Sequence, residues 1–477
     1  MRHRMLLAAV AAAVAIGLLA AGAGPAGAVP AGLLDGSFGV GGVVGVNLSD
    51  PAPKPPCIGS VVFRCGLPGE GALDTIGRPD GSVIVVTAFA DTFLLLMRFT
   101  PTGQLDPTFG TGGFTLVGPS AGLTGIATQV DGAGRAYVSW TDDPNLTGNV
   151  LFRITRLTAS GAVDPTFGSG GTVTHPHDQR WVVAPDGHVF LYRIREVPFA
   201  ASAVDVVRLT DAGQPDPTYG TGGTAVLDLP AISPEGMFLD HDVDVVPGPA
   251  GSLVMATRAT TIDRAIPASR IVLGRLTAAG APDPTLGPGG LAFPVGPASR
   301  PTLYEIAPTA LAVQPDGAIL VGGERTRAPY GSALNVIRFL PSGAPDTTYG
   351  FAGVAVIELV PGPVTTNAGF EHLVWLGVDA AGRAVVVGDN GDPISVPGDG
   401  QRHVVRLTST GAPDLDFGWL GRSTLPADLA RASRTFTTTG TTDVVGGGTV
   451  GSADRQCGLA TQTYACPDLV VFALLGL

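Results

Sequence analysis

LDPTFGTGG occupies residues 105–113, and the chain writes it again and again. LDGSFGVGG stands at 34–42, VDPTFGSGG at 163–171, PDPTYGTGG at 215–223 and PDPTLGPGG at 282–290. Looser copies, PDTTYGFAG and PDLDFGWLG, stand at 345–353 and 413–421. The aspartates of the motif are Asp35, Asp106, Asp164, Asp216, Asp283, Asp346 and Asp414. They recur at intervals of roughly 60 residues, the size of a propeller blade rather than of a solenoid unit. Asp followed by Pro opens a turn, because the carboxylate caps nearby amides and the ring fixes φ. The glycines that follow supply positive φ and let backbones pass closely. The aromatic between them (Phe38, Phe109, Phe167, Tyr219, Tyr349, Phe417) is suited to plugging a seam between sheets. The motif therefore reads as a corner.

Each unit carries three further apolar segments. In the clearest copy ALAVQPDG (310–317) runs into AILVGG (318–323), then ALNVIRFLPSG (333–343), then the corner and VAVIEL (354–359). Short Val, Ile and Leu runs bounded by Gly, Pro and Asp clusters are strands, and Pro-Asp-Gly joins the first pair tightly. An arginine precedes the corner aspartate by eight residues in six copies, as Arg98/Asp106, Arg156/Asp164, Arg208/Asp216, Arg275/Asp283, Arg338/Asp346 and Arg406/Asp414. A hairpin between them would set each pair face to face across strands.

The segments ALAVQPDGAILVGG and RFLPSGAPDTTYGFAG resemble the bacterial delta-60 repeat. The likeness runs through nearly all of 33–475, departing where VVPGPAG (245–251) and TTTGTTD (437–443) replace QPDG. It implies a β-propeller and no particular reaction. The fold expected is all-β: a seven-bladed β-propeller with four antiparallel strands per blade. Residues 33–46 supply only a fourth strand and the C-terminal unit only three, so the ring is expected to close by joining them.

Arg2 and Arg4, an apolar run from Met5 to Ala23 and Ala26-Gly27-Ala28 read as an export signal spanning 1–28. One propeller over 29–477 is then secreted, with no membrane span after cleavage. The net charge of −12 opposes binding to nucleic acid and to anionic membranes. Export makes disulfides plausible for the four cysteines. Cys57 and Cys65 share one connection and Cys457 and Cys466 another. Two local bridges are favoured, and cross-pairing between the connections stays open.

Candidate chemistry is sparse. There is no phosphate loop and no H-E-x-x-H. His177, His241 and His372 each stand ten residues before a first-hairpin glycine, beside Asp178, Asp240, Asp242 and Glu371. Converging from several blades, they could hold a divalent metal, the one cofactor expectation here. The alternative is a ring of solvated polar residues. Trp140, Trp181, Trp375 and Trp419 could stack on sugars, but each falls in or beside a strand, where packing is the simpler role. The long connections (48–71, 140–149, 193–203, 228–241, 257–270, 292–308, 323–333, 389–402 and 446–467) should share one face. Functional residues concentrate on such loops. The expected function is thus a monomeric binding module for a protein or surface glycan on that face. A metal-dependent hydrolase or lyase and a structural envelope protein are the alternatives.

Overall fold

The computed structural model describes residues 37, 43–46, 72–89, 93–118, 126–142, 151–176, 179–195, 202–229, 237–239, 243–261, 269–295, 306–326, 332–359, 371–390, 401–425, 433–438, 444–457 and 464–474. Among them there is no α-helix, only two single 3-10 turns at Pro249–Gly251 and Pro288–Gly290. No helix of the described residues is long and apolar enough to cross a membrane.

Every strand pair whose register is defined is antiparallel. The clearest unit builds the strands Ala307–Val313, Ile319–Thr326, Ser332–Phe339 and Val354–Ile357, hydrogen-bonded in that order. The hairpin glycine of its QPDG turn, Gly317, has φ +84. The third strand is almost wholly buried, as a strand covered on both faces must be. Neighbouring sheets pack face to face: Val204, Val206 and Leu227 share a core with Val245, Leu253 and Met255.

The repeat does not yield seven equal blades. The fold is an all-β propeller with six blades of four antiparallel strands each, which corrects the expected seven. The strands between 237 and 292 form a five-stranded sheet instead. There Leu253–Thr261 pairs with Asp244–Pro247 along one stretch and with Met237–Leu239 along another. In the sequence Asp240-His241-Asp242 lies between those two partners.

The N-terminal strand Val43–Val46 pairs with Tyr464–Leu474, Val43 opposite Phe472, and completes the sheet of Ser433–Thr438 and Val444–Cys457. Several connections expected to be long are partly strand. Leu253–Thr261, Ile319–Thr326 and Val444–Cys457 all run into them.

The chain divides into two compact units, one of residues 1–130, 134–164 and 426–477, the other of 131–133 and 165–425. Within each, the corner behaves as a latch. In the first unit Arg98 pairs with Asp106 at 2.6 Å. The guanidinium stands over the Phe109 ring, 5.1 Å from its centre, and donates to the Ala159 carbonyl of the next repeat at 2.8 Å. Asp106 accepts from the amide and hydroxyl of Thr108 at 2.9 and 2.6 Å. Gly110 donates to Ser160 O at 2.6 Å. The second unit repeats the arrangement, with Arg208 on Asp216, over Tyr219 and onto Ala278 O, and Arg275 on Asp283 and onto Pro341 O. Arg338 pairs with Asp346 and Arg406 with Asp414. Phe109, Phe167, Tyr219, Tyr349 and Phe417 are all buried, so the aromatic packs the seam. Asp35 and Phe38 lie outside the described residues.

One partly buried acid departs from this pattern. Asp74 accepts from the amides of Thr75 and Thr128, joining consecutive sheets of the first unit. Burial pushes its carboxyl up to about 6 against the lowering effect of those amides. A folded-state pKa above the unfolded value gives a contribution fully present below about 3.8 and lost as pH rises through about 6. From this group alone, folding stability at pH 7 should lie about 2 kcal/mol below that at pH 4. Urea unfolding across pH 4–7 should show that slope in the parent and a flattened one in Asp74→Asn; equal slopes would refute it.

Candidate functional site

Of the seven residues named for a metal, the described residues include only Glu371 and His372. His177, Asp178, Asp240, His241 and Asp242 lie outside them, as do Cys57 and Cys65. Among the described residues no group of three or more His, Cys, Asp or Glu is placed to hold a metal ion.

Glu371 and His372 open the strand His372–Val378, and their side chains do different things. Glu371 is buried and spends its carboxylate on the backbone, Oε1 accepting from Leu359 N at 2.6 Å and Oε2 from Leu334 N at 3.4 Å. Its own amide donates to Ser332 Oγ at 2.7 Å, and Ser332 Oγ donates back to its carbonyl at 2.8 Å. That carboxylate ties strand ends together. His372 is half-buried, with Nδ1 3.1 Å from Glu324 Oε1, which also accepts from Leu373 N at 3.1 Å. Nε2 is buried and has no hydrogen-bond partner among the described residues. Glu324, on the neighbouring first hairpin, was invisible to counting along the sequence, because its role depends on a partner 48 residues away.

The same strand carries a feature the sequence does not announce. Its register shifts between Leu373 and Trp375, and the first strands of three other repeats shift between Ala72 and Asp74, between Pro308 and Ala310 and between Ser433 and Thr435. A β-bulge there turns the first strand and re-aims the residues before it. Cys457 and Cys466 lie on paired strands, opposite Tyr464 and Ser452 respectively. A cavity of about 460 Å³ lies beside the Gly168 corner and the Gly213 turn, between Leu191, Leu209, Thr172 and Pro215. It collects none of the nominated residues.

Exposure is uneven among the corners. Trp140 is buried, its Nε1 donating to Thr155 Oγ1 at 2.9 Å. Trp419, in the last corner, is 78% exposed and is no packing residue. Leu415 (67%), Leu420 (64%) and Phe351 (58%) also face solvent at the last two corners.

A family profile described as "Domain of unknown function (DUF5122) beta-propeller" matches residues 78–109 and 314–349. Each stretch runs from a first-hairpin turn to a corner aromatic, so the matched unit is the repeat described above. No curated protein matches the chain. Among solved structures, a PL25 ulvan lyase is similar over 86% of this chain and 94% of its own, at 8% identity and a TM-score of 0.42. The β-propeller domain of the Trilobed protease from Pyrococcus furiosus is similar over 85% and 94%, at 8% identity and 0.40. The GH93 α-L-arabinofuranosidase of Fusarium graminearum is similar over 72% and 91%, at 12% identity and 0.37. At these scores no activity passes from them to this chain. The fold and the two matched stretches together support a repeat protein of the β-propeller kind.

Proposed function

We propose that the chain is an exported propeller of the delta-60 repeat type that works as a binding module. Its ligand is a protein or surface glycan held by the connections that vary between repeats. The observation that carries this reading is how polar groups are used in the frame. The corner acids bond arginines and turn amides, and Glu371 bonds two strand amides. Chemistry-bearing residues of the repeat are thus committed to holding the blades, and variety is left to the connections.

The test is affinity capture by immobilised 29–477 from envelope extract and from polysaccharide fractions, beside a variant with 262–268 and 458–463 shortened. A ligand held by the parent and lost by the variant is expected. A ligand held equally by both would place recognition elsewhere.

One observation favours the metal-dependent alternative. Glu324 fixes Nδ1 of His372 and leaves Nε2 with no partner among the described residues, the disposition that metal-ligating histidines adopt. Calorimetric titration of Zn²⁺, Mn²⁺ and Ca²⁺ into the parent and His372→Ala decides it: binding in the parent and loss in the variant would move the assignment to an enzyme.

A further inference from the structure

We propose that the turn at the tip of the last corner, residues 415–420, is a docking knob for a protein segment that is both cationic and apolar. This site goes beyond the loop-borne recognition proposed above and does not depend on it.

The chain supplies its own comparison. The corner reads Asp-Pro-Thr-Phe-Gly-Thr-Gly-Gly at 106–113 and Asp-Leu-Asp-Phe-Gly-Trp-Leu-Gly at 414–421. The buried frame is kept: Arg406 still bonds Asp414 at 2.7 Å and stands 4.8 Å from the centre of the Phe417 ring. All four changes fall on exposed positions, and three of them, Leu415, Trp419 and Leu420, put large apolar side chains into water.

The backbone adds a second, independent observation. Thr111 to Phe114 forms a tight turn, Thr111 N to Phe114 O at 2.8 Å, with Gly112 and Gly113 at φ +66 and +98. Such a turn demands positive φ at both central residues and selects glycine. Trp419 to Arg422 makes the same turn, Trp419 N to Arg422 O at 2.7 Å, with Leu420 at φ +55. A leucine held left-handed in full solvent costs stability and gains no packing in return. Strain retained at an exposed position points to a role outside the fold.

The fourth change selects the partner. In other corners the threonine is internal wiring: Thr108 donates to Asp106 and accepts from Arg98 at 2.8 Å. Asp416 keeps only the backbone part, its amide donating to Asp414 Oδ1 at 3.2 Å. Its exposed carboxylate has no partner among the described residues. An exposed indole and an exposed carboxylate in the same corner suit a lysine or arginine, by cation–π attraction and by charge. The two exposed leucines suit apolar side chains beside that cation, because covering them removes apolar surface from water. A sugar ring would use the indole and leave both leucines idle. An anionic lipid surface would meet Asp416 and the net charge of −12.

The probe is a short synthetic peptide alternating Lys and Leu, with a Glu/Leu peptide beside it, titrated into the intact protein and followed by anisotropy at two salt concentrations. The Lys/Leu peptide should bind, the Glu/Leu peptide should not, and added salt should weaken binding. Trp419→Ala should weaken it roughly 30-fold. Asp416→Asn should weaken it roughly 5-fold and flatten the salt dependence. Leu420→Gly should raise the urea midpoint while weakening the peptide, a pairing that a purely structural residue does not give. Thr111→Ala, at the matching tip of an ordinary corner, and the variant with shortened connections should bind as the parent does. Unchanged affinity in Trp419→Ala, or equal affinity for both peptides, overturns the proposal. So does Trp419-dependent retention on a neutral polysaccharide gel without peptide binding, which would make the knob a glycan platform.

Discussion

Arg156→Ala should cost about 3–5 kcal/mol of folding stability, more than any exposed ion pair of this protein. Arg156 is among the largest side chains with no exposed surface, and its Nε lies 2.9 Å from Asp164 Oδ2. Removing the cation leaves a carboxylate in a mostly dry corner with its main partner gone. The loss is the cost of that orphaned charge, not the value of the pair. The double variant Arg156→Ala/Asp164→Ala should therefore cost less than the two single losses added together. Arg195 and Asp205 provide the contrast: 3.1 Å apart with the arginine half-exposed, they should contribute less than about 1 kcal/mol. Urea unfolding of the whole chain at pH 7 measures all of these. An Arg156→Ala midpoint indistinguishable from the parent would refute the latch as a source of stability.

Two glycines of the first unit separate strain from crowding. Gly161 has φ +84, and a Cβ added there would stand 2.7 Å from the Phe109 ring and 2.8 Å from Gly110 N. It is the point where one repeat's turn enters the corner of the repeat before it. Gly112 has φ +66, and a Cβ there would meet nothing within 4 Å. Gly112→Ala should cost only the left-handed penalty of about 1–2 kcal/mol. Gly161→Ala adds overpacking of about 1–3 kcal/mol, for a total of about 2–5 kcal/mol. The chain already places Ala352 at the position equivalent to Gly112, at φ +52, so that substitution should still fold. Equal losses at the two sites would mean that the turn does not seat against Phe109 as described.

The parts of the fold written in the repeat were legible because their physics is local. The Pro-Asp-Gly hairpin, the corner and the eight-residue Arg–Asp spacing each need only one short stretch of chain. The five-stranded sheet was not legible, since it depends on how two segments share the long strand Leu253–Thr261. Strand ends were misjudged for a similar reason. Arg193 and Arg195 look like loop residues, yet cross-strand pairing with Asp205 and Ala203 keeps them in the sheet. At the candidate site, counting back from a glycine found Glu371 and His372. It could not show that the amides of Leu334 and Leu359 had already taken the carboxylate. Trp419 was misread because tryptophan is usually packing, and only the turn geometry shows its tip facing water.

The pairing of Val43–Val46 with Tyr464–Leu474 has a consequence for how the chain is made. The strand Val43–Val46 must wait, without its mate, until all the intervening repeats have been made. Until synthesis reaches that point the sheet cannot be completed, however early the intervening repeats settle. When the last strand does appear, Leu469-Val-Val-Phe-Ala-Leu474 is an apolar edge with high β-propensity and no charge. The four residues at Val43–Val46 are then its gatekeeper. A polypeptide clipped ahead of Asn47 would keep the six corner motifs from residue 105 onward and still present an open template to its neighbours. For this protein the hazard of a lost N-terminal segment is self-templated aggregation rather than failure to fold.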